Sequence, residues 1–486
     1  MSLLLLGKNT AIYAIGNLCL KAAAFLLIPL YTHTLSLAEY GLLATLLITI
    51  QSMIIVMNMG MRTSLVRFAQ EFEDRGQTGA LLGTTVLINI LGGVCVTAIA
   101  VLFLLPVFRA VLHTGEVTVL VLLAGIAALA QSLSLHIMSY YRAMHRAARF
   151  MGVGISSALL LITVSYIALK VLGLGIIGAL GAYILTYTVV SGYLTLDVLL
   201  RHGVSISLPA IPRIFRFGFP LVLSMAGGIV IVESGIYFLS YYHKLETVAV
   251  YSLGFKLSQL LAIAFILPFQ LAFQPFMFSN PRNTGLGMQL GTLFKSYLLS
   301  IMFMSFLIVL GTHVILPYIA PPEYARAFDV LLYLLPLTAL IGIQYFSETL
   351  VGAANKTHLI GMAMGGCAVL CLFMNNVLIP PLGLYGAAIA SNACYLFAAL
   401  TVLWFGIRAF SIYLEASSLS VIMALFSVFL LMAFLLNRAG DLAFYAGWFA
   451  MFSSCCLLLY RGPFFNRQER ILIKTSAARL RSAIIS

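Results

Sequence analysis

Charge is the scarcest commodity in this sequence. Asp, Glu, Lys and Arg make up 8% of the 486 residues, hydrophobic residues 62%, and mean hydropathy is +1.08. A water-soluble globule carries about 25% charged residues, so composition excludes a soluble domain and leaves a polytopic membrane protein. The net charge of +13 is scattered through short loops. With no basic face, nucleic-acid binding is excluded as well.

Cysteine is also sparse. The seven cysteines (19, 95, 367, 371, 394, 455 and 456) all fall in apolar runs, which argues against a disulfide framework. Cys367 and Cys371 stand one helical turn apart with no His or carboxylate nearby in the sequence, and read as small packing residues rather than metal ligands. There is no G-x-S-x-G, Walker loop, H-E-x-x-H or Ser/His/Asp grouping. The expectation is a protein with no catalytic residues, cofactor or metal, and no nucleotide site of its own. The start, MSLLLLGK, has its apolar run before the charge and no small-residue cleavage site, so it reads as retained.

Long apolar runs are what the chain has in abundance. Fourteen candidate spans lie near 9–32, 40–59, 81–106, 118–140, 151–171, 177–200, 218–241, 249–277, 296–318, 329–353, 358–378, 384–406, 419–437 and 442–460. With the N-terminus inside, 20 of the 27 lysines and arginines fall in internal segments and five in external ones. That bias predicts a multi-pass protein of a cytoplasmic membrane with both termini cytoplasmic. The loops are too short to fold over a substrate, which argues against a membrane glycosyltransferase or polymerase. The tail from Arg467 places Ile473, Ala477, Leu480 and Ile484 on one helical face, as an amphipathic helix on an anionic leaflet would. The segment from Arg62 to Arg75 resembles it, although Glu71, Glu73 and Asp74 weaken the lipid case.

The halves echo one another. Leu174-Gly175-Ile-Ile-Gly178-Ala179-Leu-Gly-Ala182 recurs as Leu382-Gly383-Leu-Tyr-Gly386-Ala387-Ala-Ile-Ala390 at an offset of 208, and Ala38-Glu-Tyr40 as Ala249-Val-Tyr251 at 211. The expected fold is an all-α polytopic membrane protein of about 14 transmembrane helices. Two six-helix lobes, 1–205 and 206–410, would be related by a pseudo-twofold axis along the membrane normal, with a cavity between them. Two additional helices (411–462) and a basic cytoplasmic tail (463–486) follow.

Four charges interrupt the spans: Lys21, Glu233, Lys256 and Glu348. A lysine at the bilayer centre costs roughly 2.5–3.5 kcal/mol on insertion scales, so such residues mark a cavity or a buried partner. Lys21 lies mid-span beside Asn17. Lys256 lies about seven residues, or ~10 Å, from the external end of its span. Gln259, Gln270 and Gln274 follow it at spacings that put them near one face, a stripe suited to hydroxyls. The candidate substrate-binding set is therefore Lys21, Lys256, Asn17, Gln259, Gln270 and Gln274, with Glu233 and Glu348 as candidate proton or ion couplers. The competing explanation for each charge is a Lys–Glu pair that pins helices together, and for each amide an interhelical hydrogen bond; Gln51, Gln344 and Asn392 are open to the same two readings.

Asn17, Lys21, Pro29 and the hairpin Leu35-Ser36-Leu37-Ala38-Glu39-Tyr40-Gly41, with Gly352-Ala-Ala-Asn355-Lys356-Thr357 and the Gly383/Gly386-Ala387 turn, carry a family resemblance. Over spans one to twelve the chain resembles bacterial polysaccharide transport proteins, which include O-antigen-type lipid-linked oligosaccharide flippases and share a superfamily with MATE exporters and the lipid II flippase. The resemblance implies flipping of an undecaprenyl-diphosphate-linked oligosaccharide by alternating access, for O-antigen or exopolysaccharide synthesis. Partners would be that substrate, membrane lipids, and a glycan polymerase or glycosyltransferases. A MATE-like cation-coupled small-molecule exporter and a non-transporting scaffold for glycan-synthesis enzymes are the alternatives.

Overall fold

The computed structural model describes residues 25–112, 114–144, 146–203, 205–279, 287–354, 356–414 and 416–461. Asn17 and Lys21 of the candidate site, most of the first expected span and the basic tail lie outside them. Among the described residues the chain is helical throughout. Twelve helices are long and apolar enough to cross a membrane, and a thirteenth apolar helix covers Asp441–Leu457. The chain is an all-α, multi-pass membrane protein.

The helices are α1 (25–34), α2 (Leu37–Asn58), α3 (Met61–Asp74), α4 (Thr78–Leu102), α5 (Leu105–Leu112), α6 (Val117–Ala143), α7 (Ala147–Tyr166), α8 (Gly175–His202), α9 (Ile211–Tyr242), α10 (Leu245–Ser258), α11 (Leu267–Ser279), α12 (Gly287–Ile319), α13 (Ala327–Ala353), α14 (Thr357–Leu382), α15 (Leu384–Phe410), α16 (Ala416–Asn437) and α17 (Asp441–Arg461). They gather in two compact units. The first comprises Met1–Lys256, Leu316–Val330 and Ile360–Ala398; the second comprises Leu257–Ile315, Leu331–Leu359 and Ala399–Ser486.

In the first unit, α2 begins at a capping box. Glu39 N–H donates to Ser36 Oγ at 3.3 Å and Ser36 N–H donates to Glu39 Oε2 at 2.9 Å, which satisfies two of the four orphan donors of the first turn. The helix ends at Met59 and Gly60, both left-handed (φ 46° and 77°), and this pair turns the chain into α3. That helix is amphipathic, as its sequence suggests, but it serves protein rather than lipid. Met61, Leu65, Phe68 and Phe72 are buried in a core with Ile137, Tyr140, Leu194 and Ile214. One of its acids is paired too: Glu71 accepts both terminal nitrogens of Arg213 at 2.7 Å. The Arg213 bonds hold the Glu71 carboxyl below its ordinary range, and the carboxylate raises the guanidinium in return.

The repeated glycine motif has one backbone in both copies. Gly175 and Gly383 are left-handed (φ 54° and 56°), and a Cβ on Gly178 or Gly386 would press on a carbonyl of the preceding helical segment, Ala168 at 3.2 Å or Leu378 at 2.2 Å. Glycine is required there for conformation and for close approach.

In the second unit, a π-helical turn (Ala262–Ile266) joins the stretch after Leu257 to α11. Pro268 explains it, since it lacks an N–H and its ring would collide with the carbonyl four residues back. α17 docks on α12 through Trp448, whose Nε1 donates to Phe306 O at 3.1 Å.

Candidate functional site

The hairpin residues that carry the family resemblance each have a physical task. Ser36 and Glu39 cap α2, Tyr40 sets a buried hydroxyl, and Gly41 lets α10 approach. A Cβ on Gly41 would sit 2.0 Å from the Leu245 carbonyl oxygen, and one on Gly254 would sit 2.5 Å from the Val330 side chain. The close approach at Gly41 draws α10 onto the start of α2, where Lys256 meets Tyr40, while Gly254 packs α10 on the start of α13. Lys256 Nζ donates to Tyr40 Oη at 3.1 Å and lies 5.1 Å from that ring's centroid. Tyr324, from the short turn Pro322–Tyr324, meets Tyr40 edge-on at 5.7 Å. Both tyrosines are fully buried. The helix holding Lys256 starts at Leu245 rather than near 249, so the lysine is deeper than the sequence suggests, eleven residues or ~17 Å from the helix start. A desolvated ammonium against a tyrosine face gains about 2 kcal/mol from the ring.

Glu233 is on α9, half-buried, and its Oε2 has no hydrogen-bond partner among the described residues. Its neighbour Ser234 accepts from Asn375 Nδ2 at 2.8 Å; that amide also faces Cys371 Sγ at 3.7 Å, and Asn375 Oδ1 is buried without a partner. One turn beyond, Tyr237 Oη donates to Thr49 Oγ1 at 3.0 Å. Gln51 is fixed differently: its Nε2 donates to Gln131 Oε1 at 3.2 Å, which also receives Tyr183 Oη at 2.8 Å. That network is an interhelical tie.

The three glutamines fall in the second unit and do not form the stripe that their spacing suggests. The π-helical turn between Gln259 and Gln270 changes the helical register. Gln270 turns inward, donating to Thr349 Oγ1 at 2.7 Å and Tyr345 O at 3.2 Å, while Gln274 is exposed. Gln259 sits at the turn just before the π-helical segment and accepts Ile263 N–H through its backbone carbonyl. Glu348 accepts from Gln344 Nε2 at 3.1 Å on the same face of α13.

Two features of this unit escape a sequence reading. Lys295 is 2% exposed and lies within α12; starting that span at 296 puts it in a loop, whereas the helix begins at Gly287. The same unit holds an aromatic ladder, in which Phe269 meets Tyr297 tilted at 4.2 Å and Phe273 stacks on Phe346 at 4.5 Å and 7°. The spacing of Phe265, Phe269 and Phe273, one turn each, is the only signal of it in the sequence.

Comparison with known proteins gives the family. A profile described as polysaccharide biosynthesis protein matches residues 6–280, more than half of the chain. No curated protein sequence matches. Among solved structures, the lipid II flippase MurJ in an inward closed conformation superposes with a TM-score of 0.66 at 15% identity, covering 95% of this chain and 100% of that one. An inward-facing multidrug resistance MATE family transporter of the MOP superfamily gives 0.60 at 18% identity, covering 82% and 94%. A MOP superfamily transporter from Pyrococcus furiosus Vc1, whose binding pocket is described as reversed in polarity, gives 0.57 at 17%, covering 83% and 96%. With this fold and that profile match, the chain belongs to the polysaccharide biosynthesis protein family, built on the architecture of the MOP superfamily transporters.

Proposed function

We propose that this protein flips an undecaprenyl-diphosphate-linked oligosaccharide from the inner to the outer leaflet of the bacterial cytoplasmic membrane. The observation that carries the reading is the family match over residues 6–280, on a fold shared with a lipid II flippase along 95% of the chain. The physical task fits. A sugar head group cannot cross hydrocarbon unaided, because each unsatisfied polar group costs several kcal/mol there, whereas the prenyl tail can remain in lipid.

On this reading the repeats 1–205 and 206–410 rock in alternating access, and both termini are cytoplasmic. Lys256, Lys21 and Asn17 meet the anionic head. Among the described residues Lys256 is held by a neutral hydroxyl and not by a carboxylate, which supports that role. Glu233 and Glu348 exchange protons or ions with the cycle; the unpartnered Oε2 of Glu233 supports this for the first of them. Glycan polymerase or glycosyltransferases are the proposed partners.

Deletion of the gene is expected to accumulate lipid-linked oligosaccharide in the inner leaflet. Complementation by Lys256→Ala at normal protein levels should fail, and Glu233→Gln should remove the dependence on a proton gradient. If deletion leaves the leaflet distribution unchanged, the reading is wrong. The MATE-like architecture keeps a second reading open, a cation-coupled exporter of small molecules; drug accumulation in a pump-deficient strain separates the two.

A further inference from the structure

The paired ends of α7 and α8, in the first unit, carry a charge arrangement that the flipping cycle does not use. The two helices pack side by side. α7 begins at Ala147 and α8 ends at His202, so Arg149 and Arg201 stand at one end of the pair. Both guanidiniums meet Asp197. Arg201 Nε donates to its Oδ1 at 2.7 Å, and Arg149 Nη1 lies 3.7 Å from its Oδ2, too far for a hydrogen bond. Tyr141 Oη donates to the same Oδ2 at 2.6 Å. Asp197 is the only acid in either helix. It holds Arg201 from the side, through Nε, and both arginines remain outward, with side chains 41% and 46% exposed. Arg146, 5.7 Å from the Tyr140 ring, adds a third cation to this end, and Glu73 a second acid.

Beyond the arginines the outer surface is apolar. Leu185, Val189, Tyr193, Leu196 and Leu200 recur at three- and four-residue spacing, form one face of α8 and are all at least half exposed. At 1.5 Å per residue this face runs ~22 Å, longer than the ~15 Å of hydrocarbon in one leaflet. It ends beside Asp197 and Arg201. On α7, Gly152 lies one turn from Arg149, and a Cβ there would meet nothing within 4 Å, so the surface next to that guanidinium is open. Any acyl chain can cover a bare apolar face. Two forked cations at its end add a preference for a phosphate and for a net negative head group. An acidic protein surface would answer the cations and leave the apolar face uncovered, whereas an anionic phospholipid answers both.

We propose that the outer face of α7 and α8 binds one anionic glycerophospholipid, its phosphate on Arg149 and Arg201 and an acyl chain along the 185–200 face of α8. Asp197, itself fixed by Tyr141, takes Arg201 by Nε and leaves the terminal nitrogens to the phosphate, so it acts as a positioning residue. A zwitterionic phospholipid brings the same chains and phosphate with a cation that offsets the charge, so the site selects for net negative charge. The inference rests on neither Lys256 nor Glu233, nor on the substrate proposed above.

The test uses the full-length protein in uncharged detergent. Dioleoyl phosphatidylglycerol and dioleoyl phosphatidylcholine are titrated separately, and bound lipid is counted by native mass spectrometry. One phosphatidylglycerol should be retained saturably, roughly tenfold or more tightly than phosphatidylcholine. Arg149→Gln and Arg201→Gln should each weaken it about fivefold, the effect of one arginine on an anionic head group. Arg75→Gln changes the net charge equally but removes an exposed arginine paired with Glu71, and should leave retention unchanged. Glycerophosphoglycerol, the head group without chains, should not displace the lipid. Arg149→Gln carries the comparison if Arg201→Gln does not fold, because its contact to Asp197 is the long one. Equal retention of the two lipids, or a preference that Arg75→Gln lowers as much as Arg149→Gln, overturns the proposal, as does displacement by the head group alone.

Discussion

The junction of α3 with α9 can be tested with three glycine substitutions that separate backbone conformation from contact. Gly60 has φ +77°, and a Cβ on it would lie 2.1 Å from the Gly218 carbonyl oxygen; Gly76 has φ +66° with nothing within 4 Å. Both pay the left-handed penalty of about 1–2 kcal/mol on becoming alanine, offset by about 0.4–1 kcal/mol through the stiffer unfolded chain. Gly76→Ala should therefore destabilise by about 0–1.6 kcal/mol. Gly60→Ala adds an overlap between two backbones, which no rotamer change relieves, and overpacking of this kind costs about 1–3 kcal/mol more. Gly218→Ala is the third arm. Its Cβ would meet Ser64 Oγ at 2.6 Å and the Gly60 carbonyl oxygen at 2.8 Å, with no left-handed penalty. The assay is hydrogen exchange of the α3 amides in detergent, which reads local opening. About 2 kcal/mol corresponds to roughly 30-fold faster exchange. Gly60→Ala and Gly218→Ala should both show acceleration in α3, and Gly76→Ala little. Equal effects of Gly60→Ala and Gly76→Ala would refute the close backbone contact.

Other outcomes follow from single contacts. Tyr40→Phe removes the acceptor of Lys256 Nζ but keeps the ring, so flipping measured by inner-leaflet accumulation should fall less than in Lys256→Ala. Gln270→Leu breaks the tie to Thr349 and Tyr345 and should destabilise by about 0.6 kcal/mol, at most about 1.7, the range for interhelical bonds in membranes; a melting curve in detergent checks it. The Glu71–Arg213 pair gives a pH dependence of known sign. The folded Glu71 carboxyl is held below its ordinary range, so its contribution is complete above about pH 4.3 and is lost as pH falls through the lowered value. Exchange in α3 should accelerate only under acid conditions, and Glu71→Gln should abolish that pH dependence.

Composition and charge bias by themselves determine that this chain is helical and crosses a membrane many times, because hydrocarbon tolerates no unsatisfied backbone. The short motifs are legible for a related reason. Ser36 and Glu39 announce a helix start, and Gly175 and Gly383 announce left-handed turns, since both depend on local geometry.

What the sequence cannot distinguish is a neighbour of protein from a neighbour of lipid, as both accept the same apolar side chains. In an apolar 18-residue stretch of Pro322–Ala353, 72% of the residues are buried, against 17% in such a stretch of Ser417–Asn437, although both qualify as spans. For the same reason α3 could be taken for a lipid-surface helix until Phe68 and Phe72 were found in a core, and Lys295 for a loop residue until α12 was seen to begin at Gly287. The candidate site is divided along the same line. Lys256 was visible as a charge out of place, but its partner Tyr40 lies 216 residues away and meets it only through the packing of α10 on the start of α2 at Gly41. The glutamine stripe was a periodicity that one π-helical turn undid.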